Sequence, residues 1–114
     1  MQIKVNHDSG FNLISLEGDF LTEGEQNKLR DQVRMLLDQG KVNLIIDLTS
    51  VKHINSCGLG ALVCAFTSLR RSGGDLRLVG VNSTVADLLK ITQLSLVFKI
   101  SPTIDKAISE FRNG

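Results

Sequence analysis

Residues 42–48, Val42-Asn43-Leu44-Ile45-Ile46-Asp47-Leu48, decide the fold. The run is short, almost wholly apolar and rich in β-branched side chains. Such a segment fits an interior strand of a parallel sheet, where both faces are covered and hydrophobic residues need not alternate with polar ones. A polar loop from Thr49 to Asn55 follows. A segment from about Gly58 to Arg71 then repeats Leu59, Leu62, Val63, Phe66 and Leu69 at helical spacing. Strand, loop and helix in that order are the building unit of an α/β domain.

The same alternation extends in both directions. Upstream, residues 2–7 alternate apolar and polar, residues 11–18 carry Leu13, Ile14 and Leu16 after the turn signal Asp8-Ser9-Gly10, and the two read as a β-hairpin. Residues 23–39 switch to helical period, with Leu29, Val33, Leu36 and Leu37 on one face and Lys28, Arg30, Asp31 and Asp38 facing water. Thr22 and Glu25 form a capping-box pattern before that helix, and Gly40 stops it. Downstream, Gly73-Gly74 breaks the second helix, and Leu76, Leu78 and Val79 form a strand. Ser83 is expected to cap a third helix carrying Val85, Leu88 and Leu89, and residues 96–100 make a last strand. Pro102 opens a final helix with Ile104, Ala107, Ile108 and Phe111 inward. The expected architecture is one α/β domain over residues 1–114: a mixed, mostly parallel sheet of four to five strands, an N-terminal hairpin and about four helices.

Composition narrows the function. Five Phe and no Trp or Tyr leave no aromatic platform for stacking bases. The 13 basic and 12 acidic residues balance to +1, and beyond Arg70-Arg71 and Lys41 no basic stripe stands out, so neither nucleic acid nor direct insertion into a membrane is expected. No apolar run approaches the ~20 residues of a membrane span, and residues 1–4 lack the apolar region of a signal peptide, so a cytoplasmic protein is expected. Cys57 and Cys64 are seven residues apart. On one helix that is roughly 10 Å of rise, too far for an intramolecular disulfide. With only His7 and His53 besides, no zinc-ligand spacing appears, and neither a metal nor a cofactor is expected. Cys64, between Val63 and Ala65, is expected in the core.

The loop into the second helix, Asp47-Leu48-Thr49-Ser50-Val51-Lys52-His53-Ile54-Asn55-Ser56-Cys57-Gly58-Leu59-Gly60, gathers small and polar residues at a helix N-terminus. Free N–H groups and the positive end of the helix dipole favour negative charge there, and a phosphorylated hydroxyl would place up to two charges on an otherwise neutral surface. Asn55 or Ser56 could equally serve only as the helix cap. Asp47 is expected to orient the loop through Asx-type hydrogen bonds. His53 is expected in solvent. Gly58-x-Gly60 lacks the further glycine and lysine of nucleotide loops.

This block resembles the signature of the STAS family, in which a strand-end Asp leads through spaced aliphatics to Asp-Ser-(Ser or Thr)-Gly-Leu-Gly. Gly73-Gly74-Asp75-Leu76-Arg77-Leu78-Val79-Gly80-Val81 is similar to the family's next turn and strand. Val85, Leu88, Leu89, Thr92, Leu94 and Phe98 fall where it carries aliphatics and Phe, and Glu17-Gly18-Asp19 resembles its Gly-Glu turn. The resemblance implies an anti-sigma factor antagonist: a non-enzymatic module that docks on an anti-sigma factor that is also a serine kinase of the GHKL type. Phosphorylation of the residue before the motif glycine abolishes docking, and a PP2C-type phosphatase restores it. By position that residue is Cys57, and a thiol is no substrate for a serine kinase. Asn55 replaces a frequent Asp, and Leu21 stands where many members are acidic. The implied contact surface is Asp19, Phe20, Leu21 and Thr22 beside Asn55, Ser56, Cys57, Gly58, Leu59 and Gly60.

Alternatives stay open on the sequence. Ser56 is a rival phosphoacceptor, although one residue along a helix turns a side chain by about 100°. Cys57 is either a redox-sensitive thiol at a helix N-terminus or a small, partly buried packing residue. The same fold also resembles subunits of transport complexes and signalling scaffolds. A small α/β enzyme with Cys57 as nucleophile is a further class, for which no base is readable. The expected state is a monomer or weak homodimer.

Overall fold

The computed structural model describes residues 2–8, 11–18 and 23–113. Strands β1 (Gln2–Asp8) and β2 (Phe11–Glu17) pair antiparallel from Gln2↔Glu17 to Asp8↔Phe11. The expected hairpin is therefore formed. The turn residues Ser9 and Gly10 lie outside the described residues, as does Thr22, the expected cap of the first helix. Helix α1 (Glu23–Asp38), strand β3 (Asn43–Ser50), helix α2 (Ser56–Arg71) and strand β4 (Asp75–Val79) follow. Helix α3 (Ser83–Ile91), a 3₁₀ turn (Leu94–Leu96), strand β5 (Lys99–Ser101) and helix α4 (Ile104–Asn113) complete the chain.

The sheet runs in the order β1-β2-β3-β4-β5, with β2 to β5 mutually parallel. Every crossover among them steps the same way across the sheet, and right-handed crossovers then deliver α1, α2 and α3 to one face. Register aligns Ile14, Ile46, Leu78 and Ile100 across the four parallel strands. Along β3, Leu44, Ile46 and Leu48 enter the core beneath these three helices, and Ile45 enters a second core beneath α4. All four are at most 1% exposed, as expected of a strand covered on both faces.

Several boundaries differ from expectation for local reasons. Helix α2 begins at Ser56, two residues earlier than expected. Asn82, not Ser83, caps α3, because the Asn82 side chain accepts from Val85 N–H at 2.8 Å. Residues 96–100 do not form one strand. Gln93 turns left-handed at φ 64°, Leu94–Leu96 wind into the 3₁₀ turn, and only Lys99–Ser101 pair with β4. Phe98 fills the core in between and meets Phe66 edge-to-face at 5.6 Å between ring centroids. Cys64 is exposed, not in the core. The inward face of α2 is taken by Leu59, Leu62, Ala65 and Leu69, and Cys64 sits one step around the helix from Ala65.

The α4 side holds a buried charge. Arg77 is 8% exposed on β4, its guanidinium 5.3 Å above the Phe111 ring centre. Its Nε lies 3.9 Å from Glu110 Oε2, and no atom among the described residues accepts a hydrogen bond from it. Glu110 Oε1 in turn accepts from Ser101 Oγ at 2.9 Å. Losing the countercharge strands Arg77, whereas an apolar side chain of similar length does not. Glu110→Ala is expected to destabilise the fold by about 1–2 kcal/mol and Arg77→Met by less, the solvent-facing edge of Glu110 limiting the first figure. Urea unfolding of the two variants checks the order.

Candidate functional site

The loop between β3 and α2 is built to hold its shape. Where β3 ends, Asp47 Oδ1 accepts from Thr49 N–H at 2.9 Å and from Thr49 Oγ1 at 2.5 Å, the Asx-type arrangement expected of it. Gly80, at the end of β4, has φ 69° and lies against that turn: a Cβ there would sit 2.1 Å from Thr49 Oγ1 and 2.7 Å from Thr49 N. Only glycine permits this approach. Val51 and Ile54, 0% and 8% exposed, pin the middle of the loop to the core.

Asn82 ties the loop to the rest of the molecule. Its Nδ2 donates to Val51 O at 3.0 Å and to Lys52 O at 3.3 Å, while its Oδ1 caps α3. One side chain thus satisfies backbone groups in two segments. Pattern reading missed this role because Asn82 and the loop are about 30 positions apart. The only hint in the sequence was an Asn just before an apolar helical run.

At the start of α2, Asn55 is extended (φ −98°, ψ −177°), and its Oδ1 accepts from Gly58 N–H at 2.9 Å. This is the N-cap, one of the two roles considered for the residue. No acidic residue occupies the first turn, so within that turn no side-chain charge offsets the positive end of the helix dipole. Ser56, Cys57 and Gly60 are exposed, Asn55 is half-buried, and Gly58 and Leu59 are buried. The reading of Cys57 as a packing residue is overturned: its thiol is free and faces solvent. His53 is exposed, as expected. Asp19, Phe20, Leu21 and Thr22 lie outside the described residues.

A cleft of about 430 Å³ runs from Cys57 along the seam between α1 and α2. Its α2 wall includes Gly60, Ala61 and Cys64, and its α1 wall includes Arg30 and Arg34. Sequence periodicity missed it, because the small residues of α2 sit beside the Leu stripe and Cys64 read as part of the core. Among the described residues there is no grouping of His, Cys, Asp and Glu that could hold a metal ion. Nor is any helix among them long and apolar enough to cross a membrane.

The two asparagines separate local from long-range support. Asn55→Ala is expected to cost about 1 kcal/mol, the loss of one cap. Asn82→Ala is expected to cost about twice that, since it also leaves Val51 O and Lys52 O without their donor. Chemical denaturation measures the difference, and hydrogen exchange at residues 49–55 should rise only in the Asn82 variant.

Comparison with known proteins places this geometry. A family model described as the STAS domain matches residues 2–107. A candidate anti-sigma factor antagonist from Thermotoga maritima is 36% identical over 76 residues, 67% of each chain. The anti-sigma F factor antagonist of Paenibacillus polymyxa is 25% identical over 114 residues, 96% of this chain and 91% of its own. Among solved structures, the crystal structure of a candidate anti-sigma factor antagonist from Thermotoga maritima superposes with a TM-score of 0.87 at 26% identity, covering 96% of this chain and 94% of that one. With the family model matched over residues 2–107, nearly the whole of its length, the chain belongs to the STAS domain family.

Proposed function

We propose that this protein is an anti-sigma factor antagonist that docks, through the β3–α2 junction, on an anti-sigma factor of the GHKL serine-kinase type, and that phosphorylation at residue 57 does not control the docking. The observation that carries this reading is the exposed Cys57 in the first turn of α2. The family resemblance assigns that position to the phosphoacceptor. The names of the relatives, anti-sigma factor antagonists, support the function class.

The chemistry follows from the position. A phosphate at this point adds up to two charges to a patch whose exposed members, Ser56, Cys57 and Gly60, are neutral. A partner that buries the patch must then strip water from those charges or leave them unpaired, which opposes docking. A thiol accepts no phosphoryl group from a serine kinase, so the patch stays neutral and the antagonist stays competent. The family's PP2C-type phosphatase has no substrate at this residue. Asp19, Phe20, Leu21 and Thr22 complete the proposed contact surface on the family's pattern.

A role for Cys57 as an enzymatic nucleophile lacks support. The cleft beside it is lined, among the described residues, by no histidine or carboxylate that could take the thiol proton. The protein acts by binding.

The experiment pairs three proteins with the cognate anti-sigma kinase and ATP, followed by intact-mass and peptide mass spectrometry. Wild type should bind the kinase and gain no phosphate, Cys57→Ser should gain one phosphate and then release the kinase, and Cys57→Glu should bind at least about tenfold more weakly. Phosphate on residues 55–60 of the wild-type chain, or full-strength binding by Cys57→Glu, refutes the reading.

A further inference from the structure

We propose that the cleft between α1 and α2 is the seat for an acidic α-helix of the partner, held by Arg30 and Arg34. The cleft's α2 wall carries a row of small side chains, Cys57, Gly60, Ala61 and Cys64, in which Gly60 and Ala61 each stand three or four residues from Cys57 and from Cys64, so that they lie on one face. Nothing lies within 4 Å of where a Cβ on Gly60 would stand, so the row is open to an approaching backbone. Small residues along a contact row let a second helix come close.

The charged side chains that line the cleft among the described residues have one sign. Arg30 and Arg34 are one turn apart, both exposed, and they are the only charged residues lining it among the described residues. Arg30 donates to the neutral side chain of Asn27, and no carboxylate among the described residues pairs with either arginine. The N-terminal end of α2, with no acidic residue in its first turn, adds positive potential at one end. A narrow channel with a small-residue floor and guanidinium groups along one wall suits a helix that turns small or apolar residues to α2 and carboxylates to α1.

The inference rests on the docking reading of this face, since Cys57 belongs to both the junction and the cleft, and it adds the chemistry of what is docked. Its test does not use the kinase. A phage-displayed library of random helix-forming peptides is selected on the wild-type protein, and the enriched peptides are synthesised and titrated by fluorescence and by NMR. They should carry net negative charge and shift the amide signals of residues 30–37 and 57–68. They should bind Arg30→Glu/Arg34→Glu at least about tenfold more weakly, with Arg30→Gln/Arg34→Gln between the two. Raised salt should weaken them as well. Thermal melts establish that the variants, altered only at exposed positions, remain folded. Neutral or basic peptides in the cleft, acidic peptides indifferent to the charge reversal, or a selection that returns nothing overturn the proposal while leaving the phosphorylation result intact. Phosphate found on residues 55–60 removes the proposed control at Cys57 without altering the peptide titration.

Discussion

Leu44, Ile46 and Leu48 enter one core while Ile45 enters the other, so β3 has no face left for water. A strand committed in this way must lie inside the sheet, with helices on both sides, and its backbone can meet solvent only at its ends. The C-terminal end is where the chain first emerges, and the polar hardware of the protein gathers there. Asp47 closes the turn over Thr49, and Gly80 yields the space that Thr49 occupies. Asn82 then satisfies the next carbonyls from across the sheet. Thus the burial of one strand determines where a rigid, solvent-facing loop can exist.

The two faces of α2 divide their labour. Leu59, Leu62, Ala65 and Leu69 anchor the helix in the core. The row of Cys57, Gly60, Ala61 and Cys64 is left without bulk and opens the cleft toward α1. Anchoring on one side keeps the first turn fixed, and small residues on the other keep it accessible. The proposed contact surface needs both: a mobile turn would have to be ordered on binding at a cost in affinity, and a bulky one would hold a partner away. The neutral character of Ser56, Cys57 and Gly60 matters for the same reason, because such a patch is sensitive to any charge placed on it.

The opposite layer is thinner. Only α4 covers that side of β3 and β4 among the described residues, with Ala107 at the centre of its contact and Arg77, Glu110 and Ser101 arranged beside it. Burying a guanidinium there gains little net stability, since desolvation offsets most of the attraction to Glu110. The aromatic ring of Phe111 and the apolar stem of the arginine carry part of the packing.

Hydrophobic period alone determined the order of elements, the parallel sheet and the identity of the central strand, since side chains that must be buried reveal which faces are covered. The junction at Asp47–Gly60 and the capping capacity of Asn55 were legible too, because both are local: a cap bonds within three residues of itself. Cys64, Asn82 and the 3₁₀ turn at Leu94–Leu96 were not. Whether Cys64 faces core or cleft depends on where α1 packs against α2. Asn82 is chosen as a brace by carbonyls that sequence distance hides, and residues 96–98 bend because Phe98 has a core position to fill. Tertiary packing made those decisions, since each rests on contacts between segments that no local pattern records.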